Sequence, residues 1–306
     1  MAFPISEVLN TQNDPLVRAI YQSFVDNAPF IRNTLFNNVQ GTSVDRNRRA
    51  TLPSQGFRAL NGSVTATNST TKKFNTPIAH AGALFQTDDF LKKADPSRIA
   101  DELEQQVRAM TMNVNRVAFK GDKTSNNEFD GLQVLTGADG GANPERTGQT
   151  IVNGAGDGLA GLSLAKLDEA IVKTKGSGKK IYMGEDLYIK MQKASRDSSV
   201  GGRLNYVPDT FGQMVLSYDG IAIEIAGEDV DGSQILDFGE ANTTTSVYVV
   251  AHETGPIFDQ VGSIDQKEIE DDFSVKISMA WDLSLSIRDL KSVQRLSDIG
   301  DLVITA

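Results

Sequence analysis

The stretch of this chain best placed to do chemistry is glycine-rich. Gly156-Asp-Gly158-Leu-Ala-Gly161 follows a short apolar run, Ile151–Asn153, and precedes a helical pattern. At that spacing a strand–loop–helix turn lets backbone N–H groups approach a pyrophosphate, and Glu185 stands roughly where an acid would hold a ribose hydroxyl. The run before it is very short, however, and glycine and asparagine surround it with no prompt third βαβ strand. A flexible linker is the preferred reading. Gly176–Lys180, GlySerGlyLysLys, has the lysine of a phosphate loop but lacks the earlier glycine and the hydroxyl after the lysine, so it reads as a turn ending a helix. Glu228-Asp229-Val-Asp231-Gly232 begins like a calcium loop, but its third acidic ligand and distal glutamate are out of register. His80 and His252 are the only imidazoles, and neither sits at metal-ligand spacing. Composition permits a Ser–His–Asp triad, yet no GxSxG elbow supports one. Zero cysteines exclude thiolate nucleophiles, thiolate metal sites and disulfides. The residues predict no enzyme, no cofactor and no metal.

Composition narrows the remaining classes. The 306 residues suffice for a core and point to two lobes. With 39% hydrophobic residues and 27 glycines the chain reads as soluble, globular and loop-rich. No run of 18 apolar residues occurs, so no membrane span is expected. The start, MetAlaPheProIleSerGluVal, has neither a basic nor an apolar signal region. The sequons at Asn61, Asn68 and Asn242 are therefore expected to be unused. The net charge is −10, from 30 basic and 40 acidic residues, the wrong sign for tight binding along a DNA backbone. It suits a container that must not stick to its contents.

The elements that organise the chain follow from periodicity. Ile99, Leu103, Val107, Met110, Val114 and Val117 form one apolar stripe of a long helix, with Asp101, Glu102, Glu104, Gln105, Gln106 and Arg108 opposite. Asp95 is the expected N-cap, Pro96 the first helical residue and Gly121 the stop, giving roughly 36 Å of helix. Asp130–Gly131 predicts a turn before a strand. Residues 1–50 read as an extended arm with one short helix from Asp14–Pro15 to near Pro29. Its Phe3, Phe24, Phe30, Leu35 and Phe36 either dock on a neighbour or pack on the chain's own core; both readings stand. Residues 51–85 read as a two-stranded excursion, ThrLeuProSerGlnGlyPheArgAlaLeuAsn running out and LysPheAsnThrProIleAlaHisAlaGlyAlaLeuPhe running back. The tip between them, Gly62 to Thr71, is too polar to bury itself. A helix capped by Ser163, a strand at LysLysIleTyrMet, a helix from Glu185, and strands at Gln213–Tyr218, Ile221–Ala226 and Ser246–Ala251 predict an α/β lobe. From Lys267 the period becomes two, and Phe273–Met279 and Leu283–Ile287 read as two strands under the long helix.

Two of these stretches carry a resemblance. ValAlaPheLysGlyAspLysThrSerAsnAsnGluPheAspGlyLeu, Val117 to Leu132, resembles the end of the spine helix of tailed-phage major capsid proteins. LeuProSerGlnGlyPheArgAlaLeuAsn with its Thr/Ser-rich tip is similar to their extended loop (E-loop), which also precedes the spine helix. TyrMetGlyGluAspLeuTyr and TyrAspGlyIleAlaIle resemble passages of their axial (A) domain. The order matches the Hong Kong 97-type capsid fold over nearly the whole chain. The resemblance implies an α+β chain with an N-arm at 1–50, an E-loop at 51–85, a peripheral (P) domain with the spine at 86–131, an A-domain at 132–245 and closing strands at 246–306.

The implied function is structural: pentamers and hexamers building an icosahedral phage head around double-stranded DNA, assembled in the bacterial cytoplasm. Implied partners are further copies, a portal, a scaffolding protein and, in some heads, decoration proteins. The chain begins at arm-like sequence, so the scaffold is expected to be separate or to lie in a leader outside this chain. Candidate inter-subunit residues are Phe24, Phe36, Phe57, Arg58, Lys72, Lys73 and Phe74. Some members of the family join an E-loop Lys to a neighbour's Asn. Lys72 and Lys73 lie in the right loop, but Phe273–Ser284 contains neither Asn nor Glu, and no Asn follows Asn242. No cross-link is expected; the lysines are expected to pair with acids on an adjacent subunit. Two other readings remain: an encapsulin-type cellular shell, and a nucleotide-binding enzyme resting on Gly156–Gly161 alone.

Overall fold

The apolar stripe forms the helix it predicts, one uninterrupted span from Pro96 to Lys120. The computed structural model describes residues 2–4, 22, 28–54, 56–64, 67–88, 90, 94, 96–138, 144–154, 160–196, 203–208, 214–239, 243–271 and 273–304. The Asp95 cap and the Asp14–Pro15 helix lie outside them. In chain order the elements are β1 (Ala2–Pro4), α1 (Pro29–Asn33), β2 (Leu35–Asn38), β3 (Ser43–Thr51), β4 (Thr70–Pro77), β5 (Ala79–Asp88), α2 (Pro96–Lys120), α3 (Leu132–Leu135), β6 (Thr150–Val152), α4 (Leu164–Lys173), β7 (Lys179–Met183) and α5 (Glu185–Ala194). β8 (Leu204–Pro208), β9 (Met214–Tyr218), β10 (Ile221–Ile225), β11 (Thr244–Ala251), β12 (Pro256–Gln260), β13 (Asp265–Asp271), β14 (Ser274–Ile287) and β15 (Val293–Gly300) complete the chain.

Two mixed sheets share the spine helix α2. The first runs β1-β2-β12-β14-β13, with β5 paired along the other side of β14. The second runs β6-β15-β11-β7-β10-β9-β8. Val107, Met110, Val114, Val117 and Phe119 of the helix share one core with Met279, Trp281, Leu283 and Leu285 of the first sheet and Tyr182, Tyr248 and Val250 of the second. The opposite face of the second sheet, with Ile181, Met183, Val247 and Val249, packs under α4 and α5 through Leu167 and Leu187. Successive residues of a strand point to opposite faces, so a sheet covered on both sides needs apolar residues throughout. That explains why every residue of β11 is buried.

Two expectations are corrected in detail, and the helix stop at Gly121 is borne out. Phe273–Met279 and Leu283–Ile287 are one strand, because Val275, Ile277, Met279, Trp281, Leu283, Leu285 and Ile287 hold a single phase and Trp281 bridges the gap. Phe273 itself is exposed. Asp130–Gly131 leads into the one-turn helix α3, not a strand, since Leu132 and Leu135 must both reach the core. Gly121 ends α2 without a left-handed cap. A Cβ there would lie 2.4 Å from the Phe129 carbonyl oxygen, and Gly131 donates its N–H to the Gly121 carbonyl at 2.9 Å. The glycines are needed for close backbone approach.

Candidate assembly interface

β3 and β4 pair antiparallel from Ser43↔Pro77 to Thr51↔Thr70, with a bulge between Arg49 and Thr51. The ladder therefore starts inside the segment assigned to the arm, and the predicted outgoing strand, residues 52–61, is tip. A two-stranded ribbon is marginal alone. This one is rooted by two arginines. Arg46 Nη2 donates to both oxygens of Asp259, at 2.5 and 2.6 Å, and Asp259 is fully buried. Asn37 Nδ2 and Ser286 Oγ donate to the same carboxylate at 2.9 and 3.2 Å. Arg48 donates to the carbonyls of Ile287 at 2.7 Å, Glu145 at 3.1 Å and Arg146 at 3.3 Å, with its guanidinium 4.7 Å from the Phe74 ring centroid. A delocalised, forked cation can satisfy several carbonyls and stack at once, which a lysine cannot.

Beyond the root the ribbon has nothing beneath it. Leu52, Phe57, Leu60 and Val64 are exposed, Phe57 and Leu60 almost wholly. Arg58, also exposed, bonds the Gly62 carbonyl at 3.2 Å, and Thr67 Oγ1 donates to the Ser54 carbonyl at 2.7 Å, so among the described residues the tip is tied to itself. Lys72 and Lys73 are exposed on β4. Lys73 faces Asp45 across the ladder at 3.0 Å, a partner in its own chain where one on a neighbour was expected. The Asn75 amide and then Lys73 hold the Asp45 carboxyl below its ordinary value. Two candidates are removed. Phe74 is buried beneath Arg48, and Phe36 stacks on Phe258 and Trp281 with centroids at 5.3 and 5.9 Å. Phe36 serves this chain's own core, as does Phe30 of the arm, and Phe74 is covered within the chain. Phe24 lies outside the described residues.

A second polar assembly, missed by sequence reading, fastens α1 to the second sheet. Glu224 of β10 accepts Asn33 Nδ2 at 2.8 Å and Arg32 Nη2 at 3.3 Å, and pairs with Lys180 of β7. Asn33 Nδ2 also reaches the Tyr182 hydroxyl at 2.9 Å, and that hydroxyl lies 2.8 Å from His252 Nε2. Thr34 spends its proton on the Phe30 carbonyl at 2.7 Å, so its oxygen accepts from His252 Nδ1 at 3.2 Å. The tautomer follows: Nδ1 carries the proton and Nε2 accepts from Tyr182. Burial, reinforced by Lys180, lowers the His252 pKa to about 3. Burial, then Glu224, pushes the Tyr182 phenol well up. His252 is a neutral structural linker. The signal was available only as charged and amide residues scattered over Arg32, Asn33, Lys180 and Glu224, which no local spacing unites.

The chemical motifs dissolve into structure. β6 and β7, which a dinucleotide fold would place side by side, are separated by β15 and β11. Gly156 and Gly158 lie outside the described residues. A Cβ on Gly161 would lie 2.0 Å from the Val303 carbonyl oxygen, so this glycine admits the C-terminal segment. Gly176–Lys180 turns into strand β7, with no helix following to hold a phosphate. In the calcium-like loop Asp231 accepts the N–H and hydroxyl of Ser233, and Asp229 pairs with Arg116 at 3.4 Å. His80, exposed, bonds Asp282 at 2.7 Å. Among the described residues no His/Cys/Asp/Glu group could hold a metal, and no helix is long and apolar enough to cross a membrane.

No protein-family model and no curated protein sequence matches the chain. Solved structures do. The capsid asymmetric unit of cyanophage A-1(L) is similar at 14% identity and TM-score 0.62, covering 94% of each chain. A holo-encapsulin complex from Synechococcus elongatus is similar at 10% identity and TM-score 0.60, covering 89% of this chain and 87% of that one. The capsid of a native GTA particle is similar at 13% identity and TM-score 0.57, covering 94% and 91%. With spine helix, rooted hairpin and two sheets in the expected order, the chain has the Hong Kong 97-type capsid fold.

Proposed function

We propose that this chain is the major capsid protein of a tailed double-stranded DNA phage, a structural subunit and not an enzyme. The observation that carries this reading is the hairpin. Arg46, half-buried on the fully buried Asp259, and the buried Arg48 hold its root, while Leu52, Phe57 and Leu60 at its tip are left in water. A lone chain gains nothing from an exposed apolar tip on a rigid stalk; a neighbour that covers it does. In this reading β3, β4 and the tip form the E-loop, α2 and the first sheet the P-domain, and the second sheet the A-domain, which gathers subunits into pentamers and hexamers. Small hinge changes let one sequence fill several positions of an icosahedral head. A portal and a scaffold complete assembly in the bacterial cytoplasm. The net charge of −10 keeps packaged DNA off the wall.

An encapsulin-type shell is the second reading, favoured by the likeness to the encapsulin complex. Size-exclusion chromatography and negative-stain microscopy of the purified chain test both. Closed shells, pentamers or hexamers are expected, and a compact dimer that binds nicotinamide cofactor would overturn the proposal. Shells bearing a portal and DNA separate the phage head from the cargo-bearing compartment. On a denaturing gel those shells should run at monomer mass, since no Asn lies where the cross-link would need one.

A further inference from the structure

At one end of the second sheet, beside edge strand β6, a cavity of about 400 Å³ opens between α4 and the start of β15. Lys173, Lys175 and Lys291 line it, with Gln149 and Gln294, and among the described residues no carboxylate lines it. In a chain carrying ten more acidic than basic residues this is a local reversal of sign. Two of the lysines have partners in the chain: Lys173 Nζ bonds Glu169 at 2.6 Å, and Lys175 Nζ bonds the Val172 carbonyl at 2.8 Å, at the C-terminal end of α4. Lys291 differs. Its backbone is fixed on both sides, the carbonyl accepting Lys175 N–H at 2.8 Å and its N–H bonding Asp289 at 3.2 Å. Its ammonium makes no hydrogen bond or ion pair among the described residues. At the cavity floor Gln294 is buried, and its Nε2 donates to Gln149 Oε1 at 2.5 Å, which fixes both carboxamides. Val172, largely exposed, forms an apolar lip.

We propose that this cavity is a docking site for an acidic peptide segment of a partner protein, seated by carboxylates on Lys291 and Lys175 with an aliphatic side chain against Val172. Charge decides against nucleic acid. A polyanion long enough to gain from many phosphate contacts must lie along a chain whose net charge is −10, and among the described residues the cavity lining has no aromatic side chain for a base to stack on. A short peptide confines its charge to the concavity and finds both a cation and an apolar wall. The inference goes beyond the shell reading and its test does not require assembly.

The test is a calorimetric titration of the full chain at low salt with a blocked nonapeptide alternating Glu and Leu, its Gln-for-Glu counterpart, a nine-nucleotide thymidine strand, and inorganic phosphate. The acidic peptide should bind, and the Gln peptide should bind at least tenfold more weakly. Lys291→Gln should weaken the acidic peptide about tenfold, the scale of one charge-assisted hydrogen bond, with an unchanged thermal melt. Val172→Ser should weaken it further. Absence of binding, indifference to Lys291→Gln, or equal affinity for the nucleotide strand or for phosphate would each overturn the proposal.

Discussion

Removing Arg46 tests whether the hairpin's root is what holds it. Arg46→Leu leaves the Asp259 carboxylate fully buried with Asn37 and Ser286 as its remaining side-chain donors among the described residues. Breaking a buried pair by deleting one partner costs about 3–5 kcal/mol, most of it the stranded charge. The stranded charge can be removed separately. In Arg46→Leu with Asp259→Asn the buried ion is gone, and the double variant should be at least ~2 kcal/mol more stable than Arg46→Leu alone. Guanidinium unfolding at neutral pH reads this directly, because the single tryptophan, Trp281, is buried in the same sheet with its Nε1 on Gln260 at 3.1 Å. Hydrogen exchange adds the local term: amides of β3 and β4 should exchange faster in Arg46→Leu while those of β11 keep their protection. A double variant no more stable than the single one would refute the account, since the cost would then come from lost packing and not from an unpaired charge.

Three further outcomes follow from the same structure. His252, neutral in the fold with a pKa of about 3 against 6.5 unfolded, makes the unfolded chain the stronger proton binder between those values. Its stabilising effect is complete above pH 6.5 and falls by about 1.4 kcal/mol per unit as pH drops toward 3, so an acid titration of the melt should flatten in His252→Gln. Replacing both Phe57 and Leu60 by serine should change unfolding free energy by less than about 0.5 kcal/mol, because both are exposed, yet shift material from shells to free subunits in chromatography. Gly131→Ala would place a Cβ 2.4 Å from the Val117 carbonyl oxygen and 2.7 Å from Gly121 N, so a loss of about 1–3 kcal/mol is expected in thermal unfolding.

What could be read from sequence depended on whether one face of an element meets water. The spine was legible because Val107, Met110, Val114 and Val117 are buried while Asp101, Glu104 and Arg108 are not. The segment Ser43–Thr51, SerValAspArgAsnArgArgAlaThr, has no apolar period, and its strand was assigned to the arm. It is a strand because Arg46 and Arg48 reach groups distant in sequence, Asp259 and the carbonyls near residue 145, and such partners leave no local trace. The opposite error befell residues 52–61. LeuProSerGlnGlyPhe carries apolar residues and reads as strand, but no strand among the described residues pairs with it. For the same reason Phe36 and Phe74 read from sequence as interface residues: hydrophobicity says that a residue must be covered, not by which molecule.

That ambiguity bears on how the hairpin works. An apolar tip is useful for assembly only if it stays off its own core before a neighbour arrives, and a flexible tether would let Leu52, Phe57 and Leu60 fold back. The chain prevents this at the root. Arg46 and Arg48 direct their Nη donors to the Asp259 carboxylate and the Ile287 carbonyl of the first sheet and to carbonyls of the adjoining loop, fixing the direction of β3 and β4. Pairing over eight register positions carries that direction outward to Thr51 and Thr70. The bulge at Arg49 is the one irregularity in the ladder, and bulges bend and twist a strand locally. Adjustment to different neighbours can therefore concentrate between Arg49 and the tip without disturbing Asp259. In the proposed shell the polar root and the apolar tip are two parts of one device: buried charge would supply orientation and exposed hydrophobic area affinity. A variant that weakens the root should impair assembly even with the tip intact, and one that strips the tip should do so even with the root intact.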